Sequence, residues 1–194
     1  MPEPEAGRSY SYADYLTWPR WPEGPRWELF EGEAVAMNAP LREHQRIAGE
    51  LFGRIWDFLK GHPCEVYMAP FDVRLPRQGK ETNRIQTVVQ PDISVICDPE
   101  KLDDLGCLGP PDWILEVVSP GSVRTDYVKK LTLYELHGIP EYWIVNPQDR
   151  LVMVFRLNQQ GAYGKPDTYT QEDTLTPARF PELSIRLEDI FAGS

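Results

Sequence analysis

The sequence predicts an α/β protein of the α+β kind, with a mixed central β-sheet flanked by helices and a hairpin ahead of it. Three observations predict this. Short β-prone runs such as WILEVVS (113–119) and EYWIVNP (141–147) are bounded by turn-forming Gly, Pro and Asn. Two longer stretches, 41–60 and 124–138, repeat apolar residues at helical spacing. The order of the pieces is hairpin, helix, three strands, helix, two strands, and such an order packs helices onto a sheet.

Each element has its own local reason. Residues 1–25, with their TWPRWPEGP run, read as an ordered but irregular arm in which Trp18, Trp21 and Trp27 are packing residues. RWELFEGEAVAM (26–37) reads as two strands turning at Glu31-Gly32. Ile47, Ala48, Leu51, Ile55 and Phe58 line one face of a helix that Gly61-His62-Pro63 ends. CEVYMAPFDVRL (64–75) and TVVQPDISVI (87–96) read as strands around a loop, PRQGKETN (76–83). DLGCLGPPD (104–112) reads as a loop before the strand WILEVVS. Ser122 is a candidate cap for the helix RTDYVKKLTLYELHG (124–138), which stops at Gly138 and Pro140. EYWIVNP and RLVMVFRL (150–157) turn at Asn146-Pro147. Residues 158–194, a C-terminal extension with a weaker strand or two and a short helix near LEDIF, complete one domain spanning 1–194.

Composition narrows the function classes. No apolar run reaches the ~20 residues of a membrane span, and the acidic N-terminus has no signal-peptide stretch, so a cytoplasmic protein with no membrane partner is expected. Cys64, Cys97 and Cys107 lack CxxC spacing and the three His form no HxxxH pattern, which argues against zinc and for reduced, buried thiols. A net charge of −10 argues against a protein that coats nucleic acid. It does not exclude a nuclease, whose acidic cluster a cation offsets locally.

Two acids stand out. Strand alternation puts Asp92, Ser94 and Ile96 on one face, and Ile114, Glu116 and Val118 on one face of the later strand. If these strands are neighbours, Asp92 and Glu116 lie side by side. Asp92 after Pro91 also suits a plain turn, and Glu116 a buried ion pair. Together, however, two repelling carboxylates invite a divalent cation that polarises a phosphate and acidifies a water. Asp126, Lys130 and Tyr134 recur at four-residue spacing on one side of the next helix. Lys130 there is either the ammonium that reaches the carboxylates or half of an exposed Asp126–Lys130 pair, with Lys129 an equal candidate. His44 shares the inward face of the first helix, where a hydrogen-bonded core role is the ordinary one. Glu28 faces either the site or water, and Glu50 lies well off the apolar face.

QPDISVI, WILEVVSPGS, TDYVKKLTLY and HGIPEYWIVNP, in that order, resemble the Uma-two family of restriction endonucleases within the PD-(D/E)XK nuclease superfamily. WELFEGEAVAM and REHQRIAGELFGRIWDFL resemble that family's upstream segments, and the likeness spans about residues 10–157. It implies a restriction-endonuclease-like αβββαβ core and an Mg²⁺- or Mn²⁺-dependent endonuclease acting on DNA, with a homodimer as the assembly. Asp92 matches the PD aspartate and Glu116 the second acid. Val118 occupies the superfamily's lysine position, and the family supplies the lysine from the following helix, which implies Lys130. The metal would be held by Asp92, Glu116 and the backbone carbonyl of Val117. Asp126 and Tyr134 would hold Lys130, while Glu28 and His44 would support the pocket. Two rivals remain at this point: a binding or regulatory protein that keeps a nuclease fold without catalysis, and a two-carboxylate glycosidase with a Trp-lined cleft.

Overall fold

The computed structural model describes residues 4–5, 7–19, 24–77, 84–122 and 124–193. Trp21 and most of the expected loop 76–83 lie outside them. The arm is more regular than expected. It carries a one-turn helix, α1 (Tyr12–Tyr15), closed by reciprocal hydrogen bonds between Ser11 and Asp14. Tyr12, Tyr15 and Trp18 pack on Leu29, Ile85 and Val88.

The expected hairpin is β1 (Trp27–Phe30) and β2 (Glu33–Ala36), paired antiparallel. Its turn residues Glu31 and Gly32 have φ of 49° and 94°, the left-handed pair whose twist suits a two-residue hairpin. A Cβ on Gly32 would stand 2.3 Å from Ser9 Oγ, so the position also excludes a side chain. The first long helix, α2 (Arg42–Leu59), buries the predicted face of Ile47, Ala48, Leu51 and Ile55.

Two expected strands are each split at a proline. CEVYMAPFDVRL divides at Pro70 into β3 (Glu65–Met68) and β4 (Val73–Arg74). TVVQPDISVI divides at Pro91 into β5 (Val88–Val89) and β6 (Ile93–Ile96). Proline has no N–H for a ladder, so a run of β-prone residues breaks there. Each run leaves one sheet and enters the other. DLGCLGPPD is likewise not a plain loop, because β7 (Leu102–Asp103) and β8 (Gly106–Leu108) form a small hairpin there.

The first sheet runs β2-β1-β5-β4-β8-β7. The second contains β3, β6, β9 (Trp113–Val117), β10 (Glu141–Asn146), β11 (Leu151–Arg156) and β12 (Asp167–Thr170). Its order is β12-β11-β10-β9-β6-β3, mixed because only β9 and β10 run parallel. Between those two strands the chain forms a π-helical turn, Thr125–Lys130, that continues into α3 (Leu131–Leu136). The tail adds β13 (Thr174–Leu175), β14 (Ile185–Arg186) and α4 (Leu187–Phe191).

The second sheet is the mixed central sheet that the sequence predicts. One face packs Ile93, Leu115 and Trp143 against Leu51 and Ile55 of α2 and Ile190 of α4. The other packs Ile114 and Ile144 against Val73 and Val89 of the first sheet and Tyr134 of α3. The first sheet is an additional layer, assembled from the expected hairpin and four strands of two or three residues that sequence patterning does not resolve.

The thiols depart from expectation. Cys64 and Cys97 are joined in a disulfide, with Cα atoms 3.9 Å apart, whereas Cys107 is free and buried. The pairing follows from register, since Glu65 faces Ile96 and the next positions outward are Cys64 and Cys97. Spacing along the chain does not reveal it. Burial pushes the Cys107 thiol up to about 11. Among the described residues no helix is long and apolar enough to cross a membrane.

Candidate functional site

β6 and β9 are antiparallel neighbours with Ile93 opposite Leu115 and Ser94 opposite Ile114. Asp92 immediately precedes β6 and Glu116 lies on β9, so these neighbouring strands bring both carboxylates to one cavity. Asp92 follows Pro91. Its Oδ2 accepts the Val117 N–H at 2.7 Å and stands 3.0 Å from His44 Nε2. Glu116 lies mid-strand and is 3 % exposed.

Lys130 meets Glu116 from the helix side. Its Nζ donates to Glu116 Oε1 at 2.7 Å and lies 3.3 Å from Glu28 Oε1 and 4.0 Å from Asp126 Oδ1. Glu116 belongs to the second sheet and Glu28 to the first, so one ammonium ties the two sheets together. Of the two readings of Lys130, the exposed Asp126–Lys130 pair is excluded, since both residues are 3 % exposed. Lys129 instead points outward to Glu33 at 3.1 Å. Glu28 faces inward, and its Oε1 also accepts the Gln90 N–H at 2.8 Å.

Two supporting roles differ from the expected ones. The Tyr134 hydroxyl donates to Glu116 Oε1 at 2.8 Å rather than holding Lys130. Ser122 does not cap the helix in the usual way; its Oγ accepts the Ser119 N–H at 2.9 Å, and the helix start at Arg124 has no side-chain cap. The expected regular helix opens as a π-turn carrying Asp126 and Lys130, a distortion that recurs at functional sites.

Burial dominates the electrostatics. It raises the Glu116 carboxyl well above its ordinary range, with Lys130 opposing and Asp92, Asp126 and Glu28 reinforcing the rise. Burial likewise lifts Asp126 to about 6 against the pull of Lys130. For Lys130 burial favours the neutral amine, but Glu116, Glu28 and Asp126 outweigh it and hold the proton on. Tyr134 stays a phenol, pushed up by burial and by Glu116. Three carboxylates therefore surround one ammonium, and Asp92 adds a fourth acid on the same cavity wall. His44 adds an imidazole at Asp92, and its buried Nδ1 has no partner among the described residues.

Glu28, His44, Asp92, Glu116, Asp126 and Lys130 line a cavity of about 190 Å³. At about 30 Å³ per water, that space suits a phosphate and a few waters better than a whole nucleotide. Among the described residues no three His, Cys, Asp or Glu side chains form a ready cage for an ion. The Val117 carbonyl expected as a ligand belongs to a residue on the cavity wall whose N–H is spent on Asp92. Residues that sequence reasoning missed are Arg26, on the cavity wall, and Gln90, which anchors Glu28. The available signals were local: Arg26 opens the hairpin that carries Glu28, and Gln90 immediately precedes the Pro-Asp pair.

Comparison with known proteins bears on family and fold. The family model described as "Uma2: Putative restriction endonuclease" matches residues 12–188. An uncharacterized protein of Synechocystis is 24% identical over 149 residues, covering 76% of this chain and 74% of that one. A crystal structure from Anabaena variabilis, described as a "putative nuclease belonging to DUF820", superposes with a TM-score of 0.75 at 20% identity. The match covers 94% of this chain and 98% of the Anabaena chain, so the two share a fold from end to end.

Proposed function

Since the chain belongs to the Uma2 restriction endonuclease family, whose model it matches over residues 12–188, we propose that it is a divalent-metal-dependent nuclease that hydrolyses DNA phosphodiester bonds. The observation that carries this reading is an imbalance of charge. Glu28, Asp92, Glu116 and Asp126 line one cavity whose Lys and Arg residues, among those described, are Lys130, which contacts three of the acids, and Arg26, whose Nε is turned to Gln90. Buried carboxylates in surplus are costly unless a cation offsets them.

Asp92 and Glu116, with the Val117 carbonyl, would hold Mg²⁺ or Mn²⁺. Their hard oxygen donors fit such ions, and Mg²⁺ commonly takes one or two carboxylates while keeping waters and substrate phosphate as its other ligands. When bound, the ion polarises the scissile phosphate and acidifies water. Lys130, kept protonated by its three carboxylates, is not the proton acceptor; it orients the attacking water and meets the negative charge that develops on the phosphate. Tyr134 and Lys130 together fix Glu116 Oε1. His44 and the Val117 N–H fix Asp92. Glu28 holds Lys130 from the opposite sheet, and Asp126 holds it from its own turn.

The direct test is nicking of supercoiled plasmid with Mg²⁺, with Mn²⁺ and with EDTA. Metal-dependent cleavage that disappears in Asp92→Ala supports the reading. No cleavage by the wild type, or equal cleavage by that variant, rejects it.

A second reading, a nuclease-fold binding protein without catalysis, draws on a different observation. Lys130 and His44 already engage Glu116 and Asp92 without any ion, and the chain carries a net charge of −10. Calorimetry separates the two: a nuclease binds Mn²⁺ and loses that binding in Glu116→Gln, whereas the alternative shows no such linkage.

A further inference from the structure

Next to the small acidic cavity lies a larger one of about 500 Å³, within the size range of small-molecule sites. Its walls include Tyr15, Trp18, Trp27, Tyr67 and Phe71. The Tyr67 and Phe71 rings are parallel, with centroids 4.2 Å apart and 4° between planes, and so give the cavity a flat aromatic flank.

The two cavities are continuous in construction. Arg26 lines both, and the Ala69-Pro70 segment divides them, Ala69 bordering the smaller and Pro70 the larger. Glu28 of the small cavity accepts from the backbone of Gln90, whose side chain lies in the large one and donates to Asp72 Oδ1 at 2.8 Å. Arg26 Nε also donates to Gln90 Oε1 at 2.9 Å. An occupant of one cavity is therefore held by groups that position the other.

Two donors in this wall are unspent. Arg26 Nη2 and Trp27 Nε1 are buried and have no hydrogen-bond partner among the described residues. A buried N–H without a partner is costly, and an acceptor-bearing ligand would supply one. The wall also carries acids, of which Asp72 is buried, so the interior disfavours a phosphate. A flat, uncharged ring with acceptor and donor edges meets all of these features. An organic cation would satisfy the rings and the acids but not the two N–H groups or Arg26.

We propose that this cavity receives an unpaired nucleobase of the strand being cut, stacked on the aromatic wall, with its sugar-phosphate running past Arg26 to Asp92 and Glu116. The proposal rests on the nuclease reading and names its substrate: a strand with an unstacked base, single-stranded or locally unpaired. A base still inside a duplex cannot enter such a pocket without being turned out of the stack.

The test is metal-free binding by the intact chain, which separates it from cleavage. Fluorescence anisotropy in EDTA would compare a labelled short single-stranded oligodeoxynucleotide with an abasic strand of the same length, with quenching of Trp fluorescence as a second readout. The wild type should prefer the base-bearing strand by about tenfold, as expected for stacking on aromatic side chains. Phe71→Leu, which keeps apolar volume but removes the ring, should lose most of that preference and retain its affinity for the abasic strand. Trp27→Phe, which keeps a ring and removes the N–H, should lose part of the preference and serves if Phe71→Leu does not fold. Equal binding of both strands by the wild type overturns the proposal. So does a preference unchanged in both variants, or spermidine quenching the Trp signal and displacing the strand from the pocket. Plasmid nicking that fails while the base preference holds would instead refute catalysis alone.

Discussion

Glu116 and Glu141 make an instructive pair. They lie on the neighbouring parallel strands β9 and β10, and are 3 % and 4 % exposed. Glu141 is filled by donors: Trp143 Nε1 at 2.7 Å and Arg156 at 3.4 Å on Oε1, and the Ala178 N–H at 2.8 Å on Oε2. It staples the C-terminal segment to the sheet, and the acid that shares a partner with it, Asp167 at 2.8 Å from Arg156, is exposed to solvent rather than buried beside it. Glu116 has one cation, Lys130, and shares it with Glu28 and Asp126 while facing Asp92. Burial of an acid is common to both places. A surplus of acid over donors is what marks a site.

The largest expected difference between the two is in cleavage. Asp92→Ala and Glu116→Gln should each lower metal-dependent nicking by about a thousandfold, the scale of losing a metal's charge stabilisation. Glu141→Gln should leave the rate near wild type. Equal losses from Glu116→Gln and Glu141→Gln in folded protein would break the comparison.

Stability comes next. Lys130→Ala leaves buried acids without their cation and should cost about 3–5 kcal/mol in urea unfolding. Arg156→Ala, at a side chain one-third exposed, should cost about 0–1 kcal/mol. The surplus also predicts a pH dependence. Asp126 has a folded pKa of about 6 against an ordinary 3.8, so its protonated form is favoured in the fold. That contribution is fully present below the ordinary value and is lost as pH rises through about 6. The difference corresponds to about 3 kcal/mol. In EDTA, wild type should lose about that much relative to Asp126→Asn between about pH 3 and pH 7.5, and parallel curves would count against it. Glu141→Gln should lose about 1–3 kcal/mol from a weakened buried hydrogen-bond set, visible in the same unfolding curves and less than the loss in Lys130→Ala.

Much of this was readable from the sequence because it is periodic. The α2 face, the β1–β2 turn at Glu31-Gly32 and the alternation that sets Glu116 with Ile114 follow from local pattern that the chain displays by itself, whereas the meeting of Asp92 and Glu116 also needs the β6–β9 pairing. What stayed hidden depends on contacts between distant segments. β4, β5, β7 and β8 are two or three residues long, too short to show alternation. The Cys64–Cys97 bond needs the β3–β6 register. Lys130 and Lys129 are interchangeable by composition, and only the π-turn and the first sheet decide that Lys130 is the one that meets Glu28. Tyr134 was legible as sharing a helix side with Lys130, but its partner, Glu116 rather than Lys130, was not.

The central claim, that the acid surplus at Asp92 and Glu116 exists to hold a cation, is tested most directly by a crystal structure of the protein soaked in Mn²⁺, with the ion located by its anomalous signal. The account predicts one ion bound by Asp92 and Glu116, with Lys130 alongside, and no such peak in Glu116→Gln. An ion bound elsewhere, or an empty cleft with Lys130 still on Glu116 at saturating Mn²⁺, would contradict it.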